Sequence, residues 1–285
     1  MAKGPAFLIL PAILVVRAAA GPSSVEPAPD YAQIADVDQA AGRALLEQIR
    51  QTGLSGTHYF EFDLSLIPRR GDERVVPGRL WAGRNGPGPA LRIILDPGRA
   101  DERRWLIQGG PHPSAWLRDG AAPARAAEPL EPLWVGSEIT AFDLQLPFPF
   151  LYWPDEALLG VNRIHGRPAN AFLFRPPADF AGRHPDIAGV RAFFDTQYNF
   201  PEQTEILGRD GRPLKTWTLV DAKEVAGTWI PREFDVRNDA TRDKARLDVT
   251  GAAVNLPPSA SLFDRERLSD SGNPPRPPGF VDFGG

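Results

Sequence analysis

The sequence predicts a mainly β protein with few helices (α+β), its strands arranged as one curled antiparallel sheet. Three observations lead there. First, Thr57–Ile67 (THYFEFDLSLI) alternates with period two: Phe60, Phe62, Leu64 and Leu66 point one way, Tyr59, Glu61, Asp63 and Ser65 the other. Such a strand is apolar on one side and wet on the other. Second, further short apolar runs are separated by turn signals, and neighbours joined by such short connections must be antiparallel. Third, proline accounts for 31 of the 285 residues, well above an average near 5%, which favours loops and short strands over long helices.

The elements follow in chain order. Lys3, the apolar run from Pro5 to Val16, and Ala18, Ala19 and Ala20 have the layout of an export signal over 1–20, with Gly21 as the first mature residue. The run is about 12 residues where a spanning helix needs roughly 20. Residues 21–35 read as a flexible leader. In DVDQAAGRALLEQIRQTG, Val37, Ala41, Ala44, Leu45 and Ile49 recur at helical spacing, with Gly53 at the stop position. After the first strand come VPGRLWAG, PALRIILD, RRWLIQ and SAWLRD, divided by Arg-Asn-Gly-Pro-Gly and Asp-Pro-Gly turns.

Residues 137–157 (SEITAFDLQLPFPFLYWPDEA) are dense in aromatics broken by prolines. They form neither a long helix nor a central strand, and read as short helical turns plus an extended lip over the sheet. Five β-like runs follow, from LLGVNRIHGRPANAFLFRP to KARLDVTGAAVN, with Gly208–Gly211 and Asn238–Thr241 as hairpin turns. The Pro/Gly-rich tail 269–285 is expected to be disordered. The folded part is then a single domain over 36–268.

Composition excludes several classes of function. The chain has no cysteine and therefore no disulfide, thiol nucleophile or lipid-bearing thiol. Its net charge is −4; taking away Lys3 and Arg17 with residues 1–20 leaves 30 Lys+Arg against 36 Asp+Glu, a balance of −6. No basic cluster fits nucleic acid. His58, His112, His165 and His184 lack ligand spacing and read as surface histidines. No G-x-S-x-G elbow occurs, the glycine-rich segment 83–88 is a turn, and Asp101/Glu102 and Asp155/Glu156 read as solvated pairs. The expectation is a protein that is not an enzyme and carries no metal or cofactor.

The C-terminal half resembles the LolA-like family of outer-membrane lipoprotein-sorting proteins. The resemblance rests on Gln203-Thr204-Glu205-Ile206, Asp210-Gly211-Arg212-Pro213-Leu214-Lys215 and Asp221-Ala222-Lys223-Glu224-Val225. It continues through Gly227-Thr228-Trp229-Ile230-Pro231-Arg232, the turn at Asn238, Val254-Asn255-Leu256-Pro257 and Leu262-Phe263, with a weaker match over 54–120. It implies a strongly curved antiparallel half-barrel covered by helices, as in LolA and LolB. It further implies a concave cavity that shields lipoprotein acyl chains in the periplasm.

The aromatics suit that picture. Phe60, Phe62, Leu64, Trp105, Phe142, Phe148, Phe150, Phe172, Phe174, Trp217 and Phe234 are the candidate cargo-binding residues, because one sheet with few helices leaves a groove. The expected function is a soluble, monomeric periplasmic carrier of lipoprotein acyl chains or another lipid, delivering to the outer membrane. An inner-membrane donor and an outer-membrane acceptor are its expected protein partners. The alternatives are an envelope sensor or interaction module using the same cavity, and an uncharacterised hydrolase. Phe60, Phe62 and Leu64 are expected to face the interior, and Glu61→Lys to be nearly silent.

Overall fold

The computed structural model describes residues 37–51, 56–145, 147–270 and 274–284. The signal segment, the leader and Gly53 lie outside the described residues. Two antiparallel meanders make one sheet. The first runs outward through β1 (Thr57–Ile67), β2 (Arg74–Asn85), β3 (Gly88–Leu95), β4 (Arg103–Gln108), β5 (Ser114–Asp119) and β6 (Arg125–Ala127). The second runs inward through β7 (Asp155–Ile164), β8 (Arg167–Arg175), β9 (Ile187–Asp195), β10 (Pro201–Gly208), β11 (Pro213–Val225), β12 (Thr228–Asn238) and β13 (Lys244–Leu256). β1 pairs with β13, so the strand order is β6-β5-β4-β3-β2-β1-β13-β12-β11-β10-β9-β8-β7. The sheet curls without closing, which is the half-barrel the sequence led us to expect.

The alternation in β1 is realised. Phe60, Phe62, Leu64 and Leu66 are buried in the main core on the concave face. The Phe62 ring lies over Gly78 on the paired strand, where an added Cβ would stand 2.2 Å from its Cζ. The hairpins form where turn chemistry placed them. Asn85 and Gly88 close the β2–β3 turn, and the Asn238 side-chain oxygen accepts from the backbone N–H groups of Ala240 and Thr241.

The opposite face is not simply wet. Tyr59 is buried, its ring tilted against Trp81 with centroids 4.9 Å apart, in a second apolar cluster with Ile94, Leu106, Phe263 and Leu268. Two 3₁₀ turns, Ala260–Phe263 and Arg265–Ser269, cover this outer face. Arginines hold them down by their carbonyls: Arg92 Nη2 donates to the Arg267 carbonyl at 2.9 Å, and Arg118 Nη1 to that of Leu268. A period-two pattern shows which residues share a face. It does not show that later chain returns to cover the second one.

Helix α1 (Gln39–Gln51) begins at Asp38, whose carboxylate caps the N–H groups of Ala40 and Ala41. Its buried face is Gly42, Leu46 and Ile49, whereas Ala41 and Ala44, assigned to that face from the spacing, are exposed. The reason is contact: a Cβ at Gly42 would come within 2.8 Å of Leu158 Cβ, so glycine is what lets the helix touch β7. The Gln39 amide then bonds both the N–H and the carbonyl of Leu158, sealing part of an edge strand. Two further short helices, α2 (Ala141–Leu144) and α3 (Ala178–Arg183), complete the helical content of the described residues, along with the 3₁₀ turns.

The tail corrects another expectation. Within 274–284 it lies against the sheet: β14 (Val281–Asp282) pairs with Gly251 and Ala252 of β13, and the Phe283 N–H donates to the Thr250 carbonyl at 2.8 Å. Phe280 sits on Gly251 and 5.8 Å from Tyr59, while Arg276 bonds both oxygens of Glu61. The strand finds a vacant edge there because β12 and β13 pair only from Glu233/Asp248 to Arg237/Lys244 and then part. An Asn255–Thr228 side-chain bond spans the far end of the gap. Low hydropathy in the tail concealed the two phenylalanines that hold it.

Candidate lipid-binding site

The concave face is filled unevenly. Over its C-terminal half the lip packs as core. Thr140 and Asp143 form a capping box that starts α2, and Lys215 Nζ bonds Asp143 at 2.5 Å from β11. The following 3₁₀ turn, Pro149–Tyr152, turns its rings inward. Phe148 stacks on Phe150 at 5.1 Å and meets Trp217 edge-on at 5.6 Å, and Phe150 contacts Phe174 at 5.1 Å. Phe142 and Trp153 close on Phe180 of α3 at 6.1 and 5.1 Å.

Beside this packed half a pocket remains. It lies between β1–β3 on one side and β11–β13 on the other and holds about 1020 Å³, its open mouth included. Phe60, Phe62, Leu80 and Leu91 form one wall; Trp217, Phe234, Leu247 and Val249 form the other. Leu144 and Pro147 of the lip border it, and Arg50, Gln51 and the exposed Arg84 stand among its polar lining.

Of the residues expected to bind cargo, Phe60, Phe62, Trp217 and Phe234 line the pocket. Leu64, Trp105, Phe142, Phe148, Phe150, Phe172 and Phe174 are instead buried in the packed core, each at most 3% exposed. Trp105 is far from the groove in role: its indole N–H donates to the Leu133 carbonyl and anchors the 128–140 loop. Sequence reasoning missed Leu80, Leu91, Leu247 and Val249. Each lies at an apolar position of a strand, but aliphatic positions in strands are too common to single out. His58 was expected at the surface and is fully buried in the pocket lining. His112 and His165 are exposed.

Among the described residues no group of three or more His, Asp or Glu is placed to hold a metal ion, and no helix is long and apolar enough to cross a membrane. The acidic pairs are taken up in ion pairs, Glu102 with Arg104 and Asp155 with Arg175.

Solved structures share this architecture. The chain is similar to a DUF1329 family protein from Desulfovibrio piger, at 15% identity over 82% of this chain and 100% of that one, with a TM-score of 0.69. It is likewise similar to a domain assigned to outer membrane lipoprotein sorting from Vibrio parahaemolyticus, at 18% identity over 81% and 100%, TM-score 0.68. A LolA superfamily protein from Nitrosomonas europaea matches at 13% identity over 82% and 100%, TM-score 0.61. No protein-family model and no curated protein matches the sequence. The fold is that of the LolA-like proteins, a class of curved half-barrels with a concave apolar face.

Proposed function

We propose that this chain is an exported carrier in the periplasm that holds lipoprotein acyl chains, or another lipid, in the concave pocket for transfer to the outer membrane. One observation carries the reading. The lip fills only half of the concave face, and a pocket walled by Phe60, Phe62, Leu80, Leu91, Trp217, Phe234, Leu247 and Val249 stays open beside it. A pocket with aromatic and aliphatic walls on both sides favours an apolar chain, and each methylene buried contributes about 0.8 kcal/mol. A 16-carbon chain therefore gains on the order of 12 kcal/mol at full burial, and a partly open pocket captures less. Incomplete burial is what a carrier needs, since it must also release. The carrier acts by binding alone, without covalent chemistry, and is a monomer.

Native mass spectrometry of protein purified from the periplasm tests the proposal. The expected spectrum carries a lipid or acylated species in one-to-one ratio, lost when Phe62 or Leu247 is replaced by a polar residue. A stoichiometric protein partner with no lipid would instead favour a sensing or interaction role for the same pocket.

A further inference from the structure

The walls of the pocket are apolar, but its polar lining is not balanced in charge. Asp143 is the acid of the lining among the described residues, and it is already matched by Lys215 at 2.5 Å and by Thr140. Arg50 and Arg84 are not matched in that way. Arg84 is exposed and makes no ion pair among the described residues. Arg50 is steered by its Nε, which donates to the Leu151 carbonyl at 2.7 Å, and has only a 3.5 Å contact with the 58%-exposed Glu47. Both guanidinium groups act on one side chain, Tyr152 of the lip: Arg50 lies 5.9 Å from its ring centre. Burial pushes the Tyr152 phenol above its ordinary range, while Arg84 and Arg50 pull the other way. The phenol therefore keeps its proton and is available as a donor. A chain of net charge −4 thus sets two cations in the lining of an apolar groove, with a phenol beside Arg50.

We infer that Arg84 and Arg50, with Tyr152, form a head-group site, so that the ligand is an amphiphile with an anionic head, a carboxylate or a phosphate, and its acyl chain lies along the Phe62–Leu247 walls. This rests on the lipid-binding reading of the pocket and narrows it. A lipid whose polar end is neutral would occupy the same groove without these contacts. Arginine suits the role, because its fork of donors matches the oxygens of a carboxylate or phosphate. Arg50, held by Leu151, has less freedom to lose on binding than a free surface side chain.

The test compares hexadecanoate, hexadecyl phosphate and 1-hexadecanol below their critical concentrations, with affinity read by tryptophan emission and checked by native mass spectrometry. Both anions are expected to bind about ten-fold or more tightly than the alcohol at low salt, with the advantage shrinking as salt screens the exposed mouth. The ratio of the two anions identifies the head group. Arg84→Leu should remove most of the anions' advantage, Arg50 keeping the remainder, and leave the alcohol within two-fold of its original affinity; Arg84→Lys should keep more of the preference. Equal binding of acid and alcohol overturns the head-group site and leaves the carrier reading standing. Equal weakening of all three ligands by Arg84→Leu overturns it as well, by showing a structural role. Binding of none of them overturns both readings.

Discussion

Asp63 and Asp248 face each other across the β1–β13 seam on the outer face of the sheet. Burial pushes the Asp63 carboxyl above its ordinary value, and the Asp248 charge adds to the rise. A raised folded-state value means that ionisation weakens the fold. The penalty is absent in acid, where Asp63 is protonated both folded and unfolded, and complete once pH exceeds the raised value. Asp63→Asn is therefore expected to raise stability near neutral pH by up to about 1 kcal/mol, since the pair is partly solvated. Urea melts at pH 7 and pH 3 check this, and the gain should disappear at the lower pH. Two residues earlier the sign is reversed. Burial would raise Glu61, but bonds from Arg276 and Tyr59 and the charge of Arg79 outweigh it and hold the carboxyl below its usual range. That contribution is present at neutral pH and lost as pH falls through the depressed value. Glu61→Lys, which looks silent from alternation alone, should cost on the order of 1–3 kcal/mol by setting a third cation beside Arg79 and Arg276. A urea midpoint unchanged by Glu61→Lys would show that the tail contact does not persist in solution.

At the scale of elements, the C-terminal strap and the lip account for most of the distance between sequence and structure. The strands were legible because a half-buried sheet writes its period directly into the chain, and their hairpins because Asn85, Asn238 and the Gly208–Gly211 turn have definite backbone requirements. The strap was not, because its order comes from pairing at an edge created only when β12 and β13 diverge. That gap is a tertiary fact with no local signal. Phe280 and Phe283 are the residues that exploit it: Phe280 over Gly251, and Phe283 against the main core, with Lys223 Nζ 4.8 Å from its ring centre. Deleting residues 274–285 should lower stability by roughly 2–4 kcal/mol, the worth of two partly buried rings. It should also speed hydrogen exchange at Thr250–Ala253 while leaving β3–β5 unchanged. Uniform acceleration would mean that the strap supports the whole sheet and not the gap alone.

At the scale of the whole molecule, the pocket and the lip compete for one concave face, and energies decide which part moves. A ligand could enter this face by one of two courses, the first of which has the lip over 142–153 swing away as a unit. The candidate residues split accordingly: those on β1, β11 and β12 line the groove, while Phe142, Phe148 and Phe150 are spent on packing. Aromatic content could not separate them, since both roles call for the same residue type and differ only in what stands opposite. Lifting the lip would expose four rings, Phe142, Phe148, Phe150 and Trp153, that are 1–7% exposed. At about 1.5–3 kcal/mol each, that costs roughly 6–12 kcal/mol. This approaches all that a fully buried 16-carbon chain returns, before the capping box and the Lys215–Asp143 pair are broken. An acyl chain has a less costly course, into the groove already open beside the lip, moving only Leu144 and Pro147. Hydrogen exchange with and without hexadecanoate distinguishes the two. The amides of Leu151 and Trp153, bonded to the Phe148 and Phe150 carbonyls, should keep their protection on binding, with changes confined to β1–β3 and β11–β13. Loss of protection at Leu151 and Trp153 would show that the rings leave the core and that the lip does swing as a unit.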